Sequence, residues 1–97
     1  MTNVVISKSN KKRKKYDAVI DGKKTISFGA TGYSDFTKHK DEERKQKYID
    51  RHKKNEDWTD FNTAGFWARW LIWEEKTIPE AINKIERKFN MKIKNKI

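Results

Sequence analysis

The most concentrated cluster of charged residues in this sequence consists of basic side chains close to the N-terminus. The segment Lys8–Lys15, here called the basic arm, holds six basic residues in eight and no apolar one. Lysine and arginine neutralise phosphates and release counterions, so such a cluster predicts salt-dependent binding to a phosphate polymer. A solvated loop or a nuclear localisation sequence is the alternative interpretation. The candidate phosphate contacts in the arm are Lys11, Lys12, Arg13, Lys14 and Lys15.

A second basic cluster follows a helical spacing of four, three, four and three residues. Side chains at this spacing project from one side of a helix, and we call this set the basic ridge. Two clusters of this density exceed what solubility requires, which favours a polyanionic partner. The members of the ridge are Lys40, Arg44, Lys47, Arg51 and Lys54.

Aromatic residues are concentrated between positions 58 and 73. Such rings can stack on unpaired bases, as they do in single-strand binders. Because aliphatic residues are scarce, we instead expect most of these rings to build the core. Trp58 and Trp73 are the two that we predict to remain partly exposed.

Residues suited to catalysis or to metal binding are sparse. The chain has no cysteine and only two histidines, His39 and His52, fewer ligands than a catalytic metal site requires. Residues 43–45 match the short pattern Glu-x-Lys, but they lie in a predicted exposed helix. Asp35, His39 and Asp41 are interpreted as a turn with a polar cap. With no nucleophile–base pair and no phosphate-cradling glycine loop, we expect no catalytic residue, no metal and no cofactor.

The composition limits the scaffold that carries these residues. The 97 residues include 24 Lys and Arg against 14 Asp and Glu, a formal charge of +10, and only 34% are hydrophobic. We therefore expect a single domain over residues 1–97 with a thin, aromatic core. The longest mostly apolar run, Phe66–Trp73, contains Arg69 and is too short to span a bilayer. Without a visible signal peptide, we expect a soluble intracellular protein with no membrane partner.

The predicted fold class is α+β, with a small antiparallel β-hairpin or three-stranded sheet followed by three α-helices. The hairpin spans residues 16–29 around Asp21-Gly22, and a three-residue connection places Tyr16, Ala18 and Ile20 on one face. Val4–Ile6 is interpreted as an edge strand, and the tail from Met91 as a further candidate strand. The helices are predicted at about residues 41–54, 64–74 and 78–90, with Thr63 and Thr77 as N-terminal caps.

Several of these segments together resemble a known family. Gly32-Tyr33-Ser34-Asp35-Phe36-Thr37, Arg51-His52 and Thr63-Ala64-Gly65-Phe66-Trp67 are similar to a family of short uncharacterised proteins encoded by nucleocytoplasmic large DNA viruses. The similarity covers roughly residues 15–90. It implies a viral protein, expected in the infected host cell, in the virus factory or the nucleus, or in the virion. The similarity assigns no catalytic residue to this chain.

The leading hypothesis is a small, basic, non-enzymatic viral protein that binds nucleic acid, DNA rather than RNA, through phosphate contacts. The alternative is a minor structural or scaffold protein of the virion that docks on acidic virion proteins. A third interpretation is a membrane-surface or nuclear-import adaptor that uses the arm alone.

Overall fold

The molecule is built on one mixed sheet of four strands. The computed structural model describes all residues from 1 to 97. The strands are β1 (Thr2–Lys8), β2 (Lys14–Ile20), β3 (Lys24–Ala30) and β4 (Met91–Asn95). Their order in the sheet is β3-β2-β1-β4. The β1–β2 and β2–β3 pairs are antiparallel, whereas β1 and β4 are parallel.

This sheet corrects the predicted architecture. The α+β class agrees with the structure, but the prediction of a hairpin or a three-stranded sheet followed by three helices is wrong. Val4–Ile6 was expected at an edge, yet β1 lies between β2 and β4, and Thr2 pairs with Met91. This pairing joins opposite ends of the chain, so it has no local sequence signal.

The hairpin of β2 and β3 has the predicted register. Asp21, Gly22 and Lys23 connect the strands, and Ile20 pairs with Lys24 while Tyr16 pairs with Phe28. Gly22 has φ 68° and Asp21 φ 50°, the left-handed region that glycine and aspartate tolerate best. One face of the hairpin is therefore continuous and apolar.

Four helical segments lie between β3 and β4. They are α1 (Phe36–His39), α2 (Glu42–His52), α3 (Ala64–Trp67), which continues as a π-helical turn (Ala68–Ile72), and α4 (Ile78–Phe89). The predicted caps are present, because Thr63 Oγ1 accepts from Phe66 N and Thr77 Oγ1 accepts from Glu80 N. The structure contains no helix with the length and apolarity that crossing a bilayer requires.

The core lies between one face of the sheet and the segment formed by α3, the π-helical turn and α4. Ile6, Ala18 and Phe28 from the sheet and Trp67 and Ile85 from the helices are fully or almost fully buried. The Trp67 indole N–H donates to the carbonyl of Phe61 at 2.8 Å, which satisfies its one polar atom. Aromatic rings thus supply the core volume that the few aliphatic residues cannot.

A charged cluster ties three helical elements together around Glu74. This carboxylate accepts hydrogen bonds from Arg69 in the π-helical turn and Lys84 in α4, and Lys45 of α2 lies 3.6 Å away. Burial alone would raise the pKa of Glu74, but these hydrogen bonds and charges outweigh it and lower the pKa to about 2. Three cations are therefore engaged in holding the helices.

Candidate nucleic-acid interface

The basic arm is the tip of the β1–β2 hairpin. Lys8 ends β1 and Lys14 begins β2, and the Ser9 amide donates to the Lys15 carbonyl at 3.0 Å. The Lys14 amide donates to the carbonyl of Lys11 at 3.2 Å, which closes the turn. The side chains of residues 11–14 are exposed and form no ion pair. The arm therefore presents four free cations on an ordered loop.

Lys15 differs from its neighbours in the arm. Its ammonium lies 2.6 Å from Asp35 Oδ2, and the two side chains are only 14% and 1% exposed. Asp35 also accepts from the amide and the hydroxyl of Thr37 and so caps α1. Lys15 thus ties β2 to α1 and leaves the predicted set of phosphate contacts, because binding phosphate would break a buried ion pair.

Three of the five residues of the basic ridge lie within α2, and two lie outside it. Lys40 lies between α1 and α2 in a left-handed conformation, with φ 54°, and Lys54 follows the end of α2. Lys47 lies 3.4 Å from Glu43, although both side chains are exposed. Arg44 and Arg51 remain as exposed residues two turns apart, and neither has a carboxylate within 4.0 Å.

A cavity of about 560 Å³ opens beside these two arginines. Gly29 and Ala30 at the end of β3 line one side, and Tyr33 in the following loop lines another. The first turn of α3 and the π-helical turn contribute further lining residues, among them Gly65, Ala68 and Ile72. The wall of α2 supplies Arg44, Tyr48, Arg51 and His52. The cavity therefore combines a largely apolar floor with two unpaired guanidinium groups.

The hairpin tip pairs with the end of β3, which lines the same cavity. The amide of Thr31 donates to the carbonyl of Arg13 at 3.2 Å, and Lys14 pairs with Ala30, which is a lining residue. The arm and the arginines of α2, far apart in sequence, are thus both connected to this cavity, the arm through its backbone pairing with residues 30 and 31 and the arginines as lining residues.

Aromatic rings form a stacked column along the α2 side of the cavity. The Tyr48 ring stacks on His52 and on Trp73, with centroids 4.3 Å apart in both pairs and only 2° between the planes of Tyr48 and Trp73. Burial, followed by the charge of Glu56, raises the pKa of the Tyr48 hydroxyl, so this residue is neutral. The column packs α2, which carries the arginines, against Trp73.

The two tryptophans predicted to be partly exposed are half-buried, and both have partners. Trp73 stacks on Tyr48, while the Trp58 indole N–H donates to Glu56 at 2.9 Å and the Arg69 guanidinium lies 5.1 Å from its ring. The exposed aromatic side chain is instead Tyr33, which is 76% exposed. Tyr33 was not predicted from the sequence, where the available signal was its place next to Gly32 in a polar turn.

Glu56 closes one end of the cavity. Its carboxylate lies 3.5 Å from His52 Nδ1 and rests against Gly65, where a Cβ atom would come within 2.7 Å of Glu56 Oε1. Glycine at position 65 therefore makes room for this carboxylate. A residue at the start of α3 and one in the preceding loop together set the shape of the cavity.

The residues Asp35, His39 and Asp41 form two caps, as the sequence indicated. Asp41 accepts from the amides of Glu43 and Arg44 at the start of α2, and His39 Nδ1 accepts from the amide of Asp41 at 2.9 Å. Burial and the charge of Arg44 lower the pKa of His39. The structure contains no group of three or more His, Asp or Glu side chains arranged to hold a metal ion.

Comparison with known families gives one match. Residues 4–52 fit the model of a family of unknown function, DUF5754, and this range is just over half of the 97 residues. The chain belongs to this family. The matched range includes the basic arm, Tyr33, Arg44 and Arg51, whereas Gly65 and Trp73 lie outside it. No curated protein and no solved structure matches the chain.

Proposed function

We propose that this protein binds nucleic acid through its phosphates, with little preference for base sequence. The contacts come from two parts of the chain, the hairpin tip and the side of α2 that lines the cavity. The supporting observation is that the backbone of Arg13 and Lys14 pairs with residues 31 and 30, and residue 30 lines the cavity whose wall carries the unpaired Arg44 and Arg51. The proposed phosphate contacts are Lys11, Lys12, Arg13, Lys14, Arg44 and Arg51.

The distribution of ion pairs supports this proposal. Only six of the 24 lysines and arginines lie within 4.0 Å of a carboxylate, and three of these six surround Glu74. The other 18 cationic side chains have no carboxylate within 4.0 Å. Unpaired cations attract a polyanion and release its counterions on binding.

A salt titration tests the proposal directly. Fluorescence anisotropy with a labelled 20-base-pair DNA duplex, repeated at several salt concentrations, gives the slope of log K against log salt. Six phosphate contacts predict a slope of about −5, because each contact contributes about −0.9 on duplex DNA. Undetectable binding at low salt, or binding that does not respond to salt, would refute the proposed function. Matched RNA and single-stranded DNA show which nucleic acid is preferred.

The biological setting is proposed on the resemblance alone. A virus-encoded protein with this surface would act on nucleic acid in the infected cell, in the virus factory or nucleus, and be packaged with the genome in the virion. Acidic virion proteins are the alternative partners. Mass spectrometry of separated core and shell fractions distinguishes the two, because a nucleic-acid-binding protein is expected with the genome-containing core.

A further inference from the structure

We propose that the cavity receives one unpaired base, which stacks on Tyr33 while the flanking phosphates contact Arg44 and Arg51. This inference rests on the proposed function and adds a ligand feature to it: a nucleotide outside a continuous base-paired stack. The juxtaposition that carries it is an exposed aromatic ring and two unpaired arginines on the lining of one cavity.

Tyr33 offers a free aromatic ring at the cavity. It follows Gly32, which has φ 85°, and its ring is 76% exposed and stacks on no other aromatic residue. The ring therefore contributes little to the stability of the fold. A free aromatic face beside a cavity is a stacking platform for a base, because every base has a π-face that can pack on it.

The lining of the cavity leaves room for a flat group. Small residues line the cavity, including Gly29, Ala30, Gly65 and Ala68. Gly29 has φ 76°, and a Cβ atom there would meet Ile72 Cδ1 and Lys15 Cβ, both at 3.2 Å. A volume of about 560 Å³ lies in the usual range for small-ligand sites, so a base and its sugar fit, whereas a duplex does not. A base must therefore leave the stack to enter.

The charged side chains of the lining further restrict the kind of ligand that the cavity can bind. Both carboxylates of the lining are engaged, Asp35 with Lys15 and Glu56 with Trp58 and His52. Arg44 and Arg51 have no such partner and lie seven residues apart, about 10 Å along α2. The site therefore favours a group that is flat and apolar at its centre and anionic at its ends, which describes a nucleotide within a strand.

The test compares three labelled DNAs that differ in one nucleotide. They are a continuous duplex, the same duplex with one unpaired nucleotide, and the same bulged duplex with an abasic residue at the bulge. We expect the bulged duplex to bind about tenfold more tightly than the continuous one, since stacking one base contributes about five- to 150-fold. The abasic bulge should lose this gain.

Variants at Tyr33 provide the matched control. Because this ring is exposed, Tyr33→Ala should fold normally, bind the continuous duplex as the wild type does, and lose the preference for the bulge. Tyr33→Phe keeps the stacking face and should retain the preference. Equal, salt-dependent binding of all three DNAs, unchanged in Tyr33→Ala, would overturn this inference and leave the proposed function intact. Absence of binding to every DNA at low salt would overturn both.

Discussion

Lys14 and Lys15 are adjacent in the basic arm, yet the fold gives them different roles. Lys14 is exposed and free, whereas Lys15 lies 2.6 Å from the buried Asp35. Spacing in the sequence cannot separate them, because both count equally toward the density of charge. Burial decides which of the two lysines is free to bind a ligand, and burial depends on the tertiary structure.

Replacing Lys15 should therefore affect stability more than binding. Lys15→Ala leaves the Asp35 carboxylate buried without its cation, and we expect a loss of about 3 kcal/mol in the free energy of unfolding. Lys14→Ala is the matched control, and as a change at an exposed site it should alter stability by less than about 0.5 kcal/mol. Urea denaturation followed by circular dichroism measures both values. Equal effects of the two variants would contradict the structural role of Lys15.

Glu74 should make stability dependent on acid. Its pKa is lowered from 4.5 to about 2 in the folded protein, so folding favours the ionised carboxylate. The stabilisation is present above pH 4.5 and is lost as the pH falls toward 2, a change of about 3 kcal/mol for a shift of this size. Urea denaturation at pH 7 and pH 3 should show about 2 kcal/mol of this loss, because at pH 3 the folded carboxylate is still mostly ionised.

Glu74→Gln is the control for this dependence on pH. The amide cannot ionise, so the variant should be less stable at pH 7 and should lose less stability between pH 7 and pH 3 than the wild type. The remaining pH dependence belongs to other carboxylates. An identical loss in the two proteins would show that Glu74 does not carry the effect.

At the start of α3, Gly65 couples the helix to the shape of the cavity. Gly65→Ala improves helix propensity by about 1 kcal/mol, but its Cβ would lie 2.7 Å from Glu56 Oε1 and displace this flexible carboxylate. We expect stability within about 1 kcal/mol of the wild type together with loss of the hydrogen bond from Trp58 to Glu56. In an amide-correlation NMR spectrum, the indole N–H signal of Trp58 should shift, while that of Trp67, which donates to Phe61, stays in place. An unshifted Trp58 signal would contradict this coupling.

Strands and helices could be predicted where residues close in the sequence determine them. Asp21-Gly22 and the alternation on either side of it define the β2–β3 hairpin, and the caps Thr63 and Thr77 define the starts of α3 and α4. The short helix α1 was missed because four residues hold little periodicity, and its cap depends on Asp35 being buried. The parallel pairing of β4 with β1 was missed because it depends on distant chain ends meeting.

The charged residues of the candidate site could be predicted from the sequence. Their arrangement around one cavity could not. The spacing of the ridge singled out Arg44 and Arg51, which do line the cavity, together with Lys47, which lies beside Glu43. No sequence pattern indicates that the arm pairs with the chain just after β3, where the amide of Thr31 donates to the carbonyl of Arg13. Tyr33 was overlooked because an isolated tyrosine in a turn has no distinctive spacing.

The molecule as a whole carries its free charge on more than one side, and this provides a control for the central claim. Lys92 and Lys94 are exposed on β4, at the opposite edge of the sheet from β3, whose end lines the cavity. Removing them lowers the net charge by as much as removing Arg44 and Arg51 does. A difference between the two pairs therefore reports location and not total charge.

The most direct test is the affinity of these two double variants for a DNA duplex across a range of salt. If phosphates bind the surface around the cavity, Arg44→Ala/Arg51→Ala should bind more weakly than the wild type, with a salt slope reduced by about 2. Lys92→Ala/Lys94→Ala should keep the wild-type slope. Equal losses in both variants, or a larger loss from the lysine pair, would contradict a nucleic-acid interface at the hairpin tip and α2.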